Sequence, residues 1–197
     1  GAQLVMPTPA GYRGEGVFDN FWKLIERWQA TFLITVPTAI AALMQRPVNA
    51  DVSSLKIAIS GSAPLPIELY NRFKASTGVE IAEGYGLTET TAPCAFNPLG
   101  VPFHEGSVGI PFPGFSIRLA DDNEIQVKGA SVFHAYHKNE EATETSFTQD
   151  GWYATGDLGH LDDNGFLYII GRKKDLIITA GGKNVSPGPI EETIQRC

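Results

Sequence analysis

Short β-branched runs that halt at a proline or glycine and give way to helical periodicity constrain this chain more than any other feature. Phe32-Leu-Ile-Thr-Val36 stops at Pro37, and Ala39 to Gln45 then suits a helix. Leu55-Lys-Ile-Ala-Ile59 runs into a Gly61-Ser-Ala-Pro-Leu65 turn and a helix from Pro66 to about Thr77, closed by Gly78. Glu80-Ile-Ala-Glu83 reads as another short strand. Ahead of these, Val17, Phe18, Phe21, Trp22, Ile25 and Trp28 recur at three- and four-residue steps, the mark of an amphipathic helix. Strands alternating with helices predict a mostly parallel sheet covered on both faces.

After Pro98 the pattern changes. Ile117 and Leu119, Ile125 and Val127, then Val132 alternate with polar or small neighbours, and the turns carry Gly, Asp and Asn. The segment from Gly106 to about Gly171 is expected to form a small antiparallel sheet or distorted barrel. The organisation expected is an α/β part over 1–104, a β-rich part over 105–173, and the opening of a further unit over 174–197. Both ends look cut, the last within a helical pattern from Pro189 to Cys197, so a fragment of a longer protein is expected.

Composition excludes several classes. With 15 Lys and Arg against 22 Asp and Glu, a net charge of -7 argues against a nucleic-acid surface; Arg172, Lys173 and Lys174 are the clearest basic cluster. Cys94 and Cys197 make neither a disulfide framework nor a zinc site. The uncharged stretch from Trp28 to Gln45 carries too many polar residues for a membrane span, and no signal peptide opens the sequence. A cytoplasmic location is expected, with peripheral membrane association as its variant.

Four segments could carry chemistry. Gly61-Ser-Ala-Pro64 follows a strand, where ligands gather in open α/β sheets, although such a tetrapeptide can equally be a plain turn. In Glu83-Gly-Tyr-Gly-Leu-Thr-Glu-Thr-Thr91, Tyr85 could stack on a base, Thr88 and Thr90 could donate to phosphate oxygens, and Glu89 suits magnesium; the alternative is a glycine turn and a helix start capped by Thr88. In Asp150-Gly-Trp-Tyr-Ala-Thr-Gly-Asp157, the last carboxylate could accept from two neighbouring ribose hydroxyls, or sit in a surface turn. Gly171-Arg-Lys-Lys-Asp175 leads to Thr179-Ala-Gly-Gly-Lys-Asn-Val-Ser-Pro187, where Arg172 could bridge ribose and phosphate, against the reading of a basic linker. The four histidines, His104, His134, His137 and His160, show no metal-ligand spacing, and a serine-hydrolase nucleophile elbow is absent.

In this order the motifs resemble the adenylate-forming superfamily of acyl-CoA synthetases, firefly luciferase-like enzymes and peptide-synthetase adenylation domains. The resemblance also covers Thr35-Val-Pro-Thr38 and Gly106-Ser-Val-Gly-Ile-Pro111. It implies part of a large N-terminal α/β domain, a β-rich distorted-barrel subdomain and the start of a C-terminal α+β domain. It further implies a carboxylic acid attacking the α-phosphate of ATP, with a thiol then displacing AMP. By resemblance Gly61, Ser62, Ala63 and Pro64 with Gly84, Tyr85 and Gly86 form the adenine and acyl wall. Thr88 holds the α-phosphate, Glu89 holds magnesium, Asp157 takes the ribose hydroxyls and Arg172 touches the ribose. Lys174 matches the hinge of a rotating C-terminal domain, and Gly181 and Gly182 face the pantetheine tunnel.

The stretch from Thr179 to Pro187 looks most like fatty acyl-CoA synthetases, which favours a fatty acid, ATP, Mg2+ and coenzyme A over a carrier-protein thiol. Loading of a carrier protein, or AMP binding without catalysis, are the alternatives. The family's phosphate loop with its lysine and its C-terminal adenylating lysine are both missing, so the isolated chain is expected to be a poor catalyst. The segment between Leu119 and Glu124 is shorter than the family's usual hairpin.

Overall fold

The computed structural model describes residues 2–98, 101, 104–178, 184, 185 and 187. These divide into two compact units, the first ending at Glu83 and the second beginning at Gly84.

In the first unit, α1 (Val17–Trp28), β1 (Phe32–Thr35), α2 (Pro37–Met44), β2 (Ile57–Ser60), α3 (Ile67–Thr77) and the start of β3 (Ile81–Leu87) follow the predicted alternation. Strands β1 and β2 pair in parallel, with Phe32 beside Ile57 and Thr35 beside Ser60; β2 pairs in parallel with β3, with Ser60 beside Glu83. Pro37, which stops the strand, is also the first residue of α2, where its fixed φ and missing N–H cost nothing. Helix α3 closes at Gly78, whose N–H donates to the Lys74 carbonyl at 2.8 Å.

The expected apolar face of α1 is buried at Val17, Phe21, Trp22 and Ile25, whereas Trp28 is half exposed beneath the Arg27 guanidinium. Phe21 and Trp22 meet edge to face at 5.4 Å, and Trp22 packs on the fully buried Phe73 of α3 at 6.3 Å. Leu33, Ala58 and Ser60 are buried while Phe32 and Ile34 are 46% and 66% exposed. Contrary to the expectation of two covered faces, one face of β1 is open within this unit. An apolar strand content cannot reveal this, because it is the same whether the second face meets a helix or water.

The second unit is antiparallel throughout. Its strands are the remainder of β3, β4 (Ala92–Phe96), β5 (Ser107–Pro111), β6 (Phe115–Leu119), β7 (Glu124–Gly129), β8 (Tyr153–Leu161) and β9 (Leu167–Arg172), in the order β3-β4-β5-β9-β8-β7-β6. Helix α4 (Glu140–Ser146), not foreseen from the sequence, starts where the Asn139 side chain accepts from the Ala142 N–H at 3.1 Å. Strands β10 (Ile177–Ile178) and β11 (Asn184–Val185) form a separate antiparallel pair. Cys94, Ala95, Ile125, Val127, Tyr153 and Leu167 make the core, with Phe133 and Phe147 against it.

The distorted barrel expected here is corrected to an open sheet. Closure requires every strand to have two hydrogen-bonded neighbours, and β6 has one, β7. Alternation in the sequence establishes strands and their faces but says nothing about whether the last one meets the first.

Replacing Phe73 by Ala would leave a cavity under Trp22, with an expected loss of about 3–5 kcal/mol in urea unfolding. A loss under about 1 kcal/mol would show that this ring is not part of a close-packed core.

Candidate functional site

Asp157 lies on β8 opposite Arg172 of β9. Along the β7–β8 ladder, Glu124 pairs with Leu158 but Gln126 pairs with Ala154, so extra β8 residues bulge between these contacts. Gly156, at φ 73°, supplies the left-handed backbone that such a bulge needs. The Asp157 N–H donates to the Thr155 hydroxyl oxygen at 3.1 Å, and that hydroxyl donates to the Ile125 carbonyl at 2.8 Å.

The carboxylate so placed is 7% exposed. Its Oδ2 accepts from the Tyr85 hydroxyl at 2.6 Å, and its Oδ1 lies 3.1 Å from Arg172 Nε. Burial, reinforced by the Asp157 charge, pushes the Tyr85 phenol above its ordinary range, so it remains a neutral donor. Sequence reasoning took Tyr85 for a stacking ring and did not join it to Asp157. The two are 72 residues apart, and no local signal links them. Gly84, Tyr85 and Gly86 belong to β3 rather than to the turn expected after it, with a register irregularity between Tyr85 and Gly86.

Thr88 to Thr90 form a single 3-10 turn. Thr88 is exposed, but Thr90 is fully buried and its hydroxyl donates to the Leu87 carbonyl while accepting from the Leu87 N–H, each at 2.9 Å. Thr90 is therefore engaged in fixing the turn, and not a phosphate donor. The alternative reading of Thr88 as a helix cap also fails, since Leu87 occupies the cap position. Glu89 is half-buried; its Oε1 accepts from the Tyr136 hydroxyl at 2.9 Å and its carbonyl accepts from Phe133 N–H at 2.7 Å. Burial, then the hydrogen bond with Tyr136 and the charge of Glu89, raise the Tyr153 phenol. Neither Tyr136 nor Tyr153 was singled out as a site residue.

Arg172, Lys173 and Lys174, the basic cluster of the sequence, do not act as one patch. Arg172 faces Asp157, and Lys173 bridges Asp122 at 2.6 Å and Glu124 at 2.9 Å. Lys174 is exposed in the 3-10 turn that follows β9. Thr155, Gly156 and these three side chains line an open cavity of about 390 Å³.

In the first unit the Gly61-Ser-Ala-Pro64 turn is held at its ends. Gly61 N–H donates to the Thr35 carbonyl at 3.4 Å, and Leu65 N–H donates to the buried Glu83 carboxylate at 2.9 Å. Ser62, at φ 70°, takes the left-handed conformation, and Ser62, Ala63 and Pro64 are exposed. Gly181 and Gly182, the helix expected from Pro189, and Cys197 lie outside the described residues. Among the described residues no three His, Cys, Asp or Glu side chains cluster to hold a metal.

The family model described as AMP-binding enzyme matches residues 1–137. The long-chain-fatty-acid CoA ligase FadD15 of Mycobacterium bovis is 50% identical over 157 residues, which cover 78% of this chain and 25% of that protein. The chain thus spans about a quarter of this relative. ATP-bound MatB from Rhodopseudomonas palustris superposes with a TM-score of 0.83 at 38% identity, covering 91% of this chain and 38% of that one. O-succinylbenzoate coenzyme A synthetase (MenE) of Bacillus subtilis, in complex with ATP and magnesium, gives 0.80 at 32% identity over 90% of this chain and 38% of its own.

The Tyr85 shift has a definite sign in stability. A phenol whose folded pKa exceeds its ordinary 10.0 contributes fully below that pH and loses its contribution as the pH rises past it. Urea midpoints measured upward from neutral pH should therefore fall above about pH 10, and Tyr85→Phe should fall less steeply. Parallel alkaline profiles for the two proteins would overturn the assignment of Tyr85 as a buried neutral donor.

Proposed function

The chain belongs to the AMP-binding enzyme family, and from that premise we propose that it supplies nucleotide-handling residues of an ATP-dependent acid-thiol ligase acting on a fatty acid. The single observation that carries this reading is Asp157. A buried carboxylate keeps acceptor capacity on both oxygens beyond the bonds to Tyr85 and Arg172, because two oxygens offer about four lone-pair sites. Two adjacent ribose hydroxyls suit such an acceptor. Tyr85, neutral across physiological pH, keeps the carboxylate oriented without competing for its charge.

The reaction is the attack of a carboxylate oxygen on the α-phosphorus of ATP, with the bond to the β-phosphate breaking and pyrophosphate leaving. The sulfur of coenzyme A then attacks the acyl carbon, and AMP departs. Thr88, with its exposed hydroxyl, would donate to an α-phosphate oxygen. Glu89 fits a magnesium ligand, since Tyr136 fixes one of its oxygens and Mg2+ ordinarily takes one or two carboxylates together with substrate phosphates. Bound there, the ion would neutralise phosphate charge. In the first unit the proposed contribution is the turn from Gly61 to Pro64, exposed at Ser62, Ala63 and Pro64.

The names of the fatty-acid and coenzyme A relatives support a fatty substrate and CoA as acceptor, rather than a carrier protein. The same reading keeps 1–104 and 105–173 as subdomains and 174–197 as the start of a C-terminal domain hinged at Lys174, with Gly181 and Gly182 facing pantetheine. No helix among the described residues is long and apolar enough to cross a membrane. A cytoplasmic location is proposed with it.

Calorimetric titration with AMP and with a non-hydrolysable long-chain acyl-adenylate analogue tests the reading. Asp157→Ala should weaken both by about tenfold or more through lost charge-assisted bonds, and unchanged affinity would remove the ribose role. Glu89→Gln should weaken magnesium-dependent ATP binding more than AMP binding; equal losses would dismiss the metal role.

A further inference from the structure

Asp157 and Arg172 face each other across β8 and β9, and each has one chain neighbour held by the same side chain. Gly156, just before Asp157, donates its N–H to Glu124 Oε1 at 2.9 Å. Lys173, just after Arg172, places its ammonium 2.9 Å from Glu124 Oε2. Glu124 is 13% exposed, against about half for Lys173 and Asp122. Its own place is fixed by the short hairpin loop between β6 and β7. Within that loop Ala120 N–H donates to the Glu124 carbonyl and Glu124 N–H donates to Asp122 Oδ1, while Gly159 N–H donates to the Asn123 carbonyl at 3.0 Å. The loop therefore grips β8 on both sides of Asp157, at Gly156 and at Gly159.

We propose that Glu124 is a positioning residue: its two oxygens clamp the β8 bulge and the chain after β9 so that the Asp157 carboxylate meets both ribose hydroxyls. The proposal rests on the reading of Asp157 as the ribose acceptor. It follows from the division of labour on one carboxylate. Oε1 holds the Gly156 N–H in a backbone segment that needs left-handed geometry, and Oε2 holds the Lys173 ammonium next to Arg172. Asp122 bonds Lys173 through Oδ2 and accepts from Glu124 N–H through Oδ1, and an asparagine there keeps the Oδ1 acceptor, so removing its charge leaves Glu124 and the bulge anchored.

The test uses the 197-residue chain and two probes, AMP and its analogue lacking both ribose hydroxyls. The ratio of their affinities reads the placement of Asp157 and is indifferent to general loosening. It should be about tenfold or more in the unsubstituted chain, collapse to below about twofold in Glu124→Ala, and stay near the parent value in Asp122→Asn. Glu124→Gln, which still accepts from Gly156, should recover most of the ratio. Equal weakening of both probes in Glu124→Ala would reduce the residue to a structural one and overturn the proposal, as would an unchanged ratio. A parent ratio near one would remove the ribose reading itself, and the proposal with it. Amide exchange in the unsubstituted chain gives a check independent of any variant's folding: Gly156 should be protected, and exchange at the open-chain rate would overturn the clamp.

Discussion

A carboxylate taken out of water must be met by donors, and most of what distinguishes the second unit follows from meeting that requirement at Asp157. Tyr85 approaches from β3 and Arg172 from β9, so two strands far apart in sequence converge on one side chain of β8. Neither partner alone suffices. A phenol gives one strong bond but no charge, and the half-exposed guanidinium gives charge through a weaker, partly screened contact. The combination gives each carboxylate oxygen a donor while leaving lone pairs for a ligand.

The backbone arrangement serves the same end. A regular antiparallel ladder would put residue 157 in strict alternation with its neighbours; the bulge beside Gln126 breaks that alternation. A bulge is costly unless its stray N–H groups find acceptors, and here Glu124 and Thr155 provide them. Glu89 shows the same logic on a smaller scale, since Tyr136 and the Phe133 N–H hold its side chain and carbonyl in turn. In both places an acidic group with a proposed ligand role is oriented by a tyrosine hydroxyl.

The first unit follows a plainer principle. Its aromatic cluster of Phe21, Trp22 and Phe73 supplies the packing, and two parallel pairings fix the strand ends. The exposed turn at Ser62, Ala63 and Pro64 is anchored by Leu65 on Glu83, so an otherwise loose segment has defined ends.

The sequence by itself determined the alternation of the first unit and, in the second, the β-rich character and the strands around Ile117 and Leu119 and around Ile125 and Val127, though Val132 lies outside any strand, because periods of 3.6 and 2 and the stopping power of Pro37 and Gly78 act over a few residues. It also identified Asp157, Glu89, Tyr85 and Arg172 as chemical groups worth attention, since residue type and glycine context are local. Only the tertiary structure decided how they combine. The Tyr85 to Asp157 bond, the hold of Tyr136 on Glu89 and the clamp of Glu124 on Gly156 and Lys173 join residues 32 to 72 positions apart. Likewise the burial of Thr90, the open face of β1 and the unclosed edge at β6 depend on which surfaces meet. Periodicity carries one element's preference for a buried side, and it holds no record of the partner that will fill it.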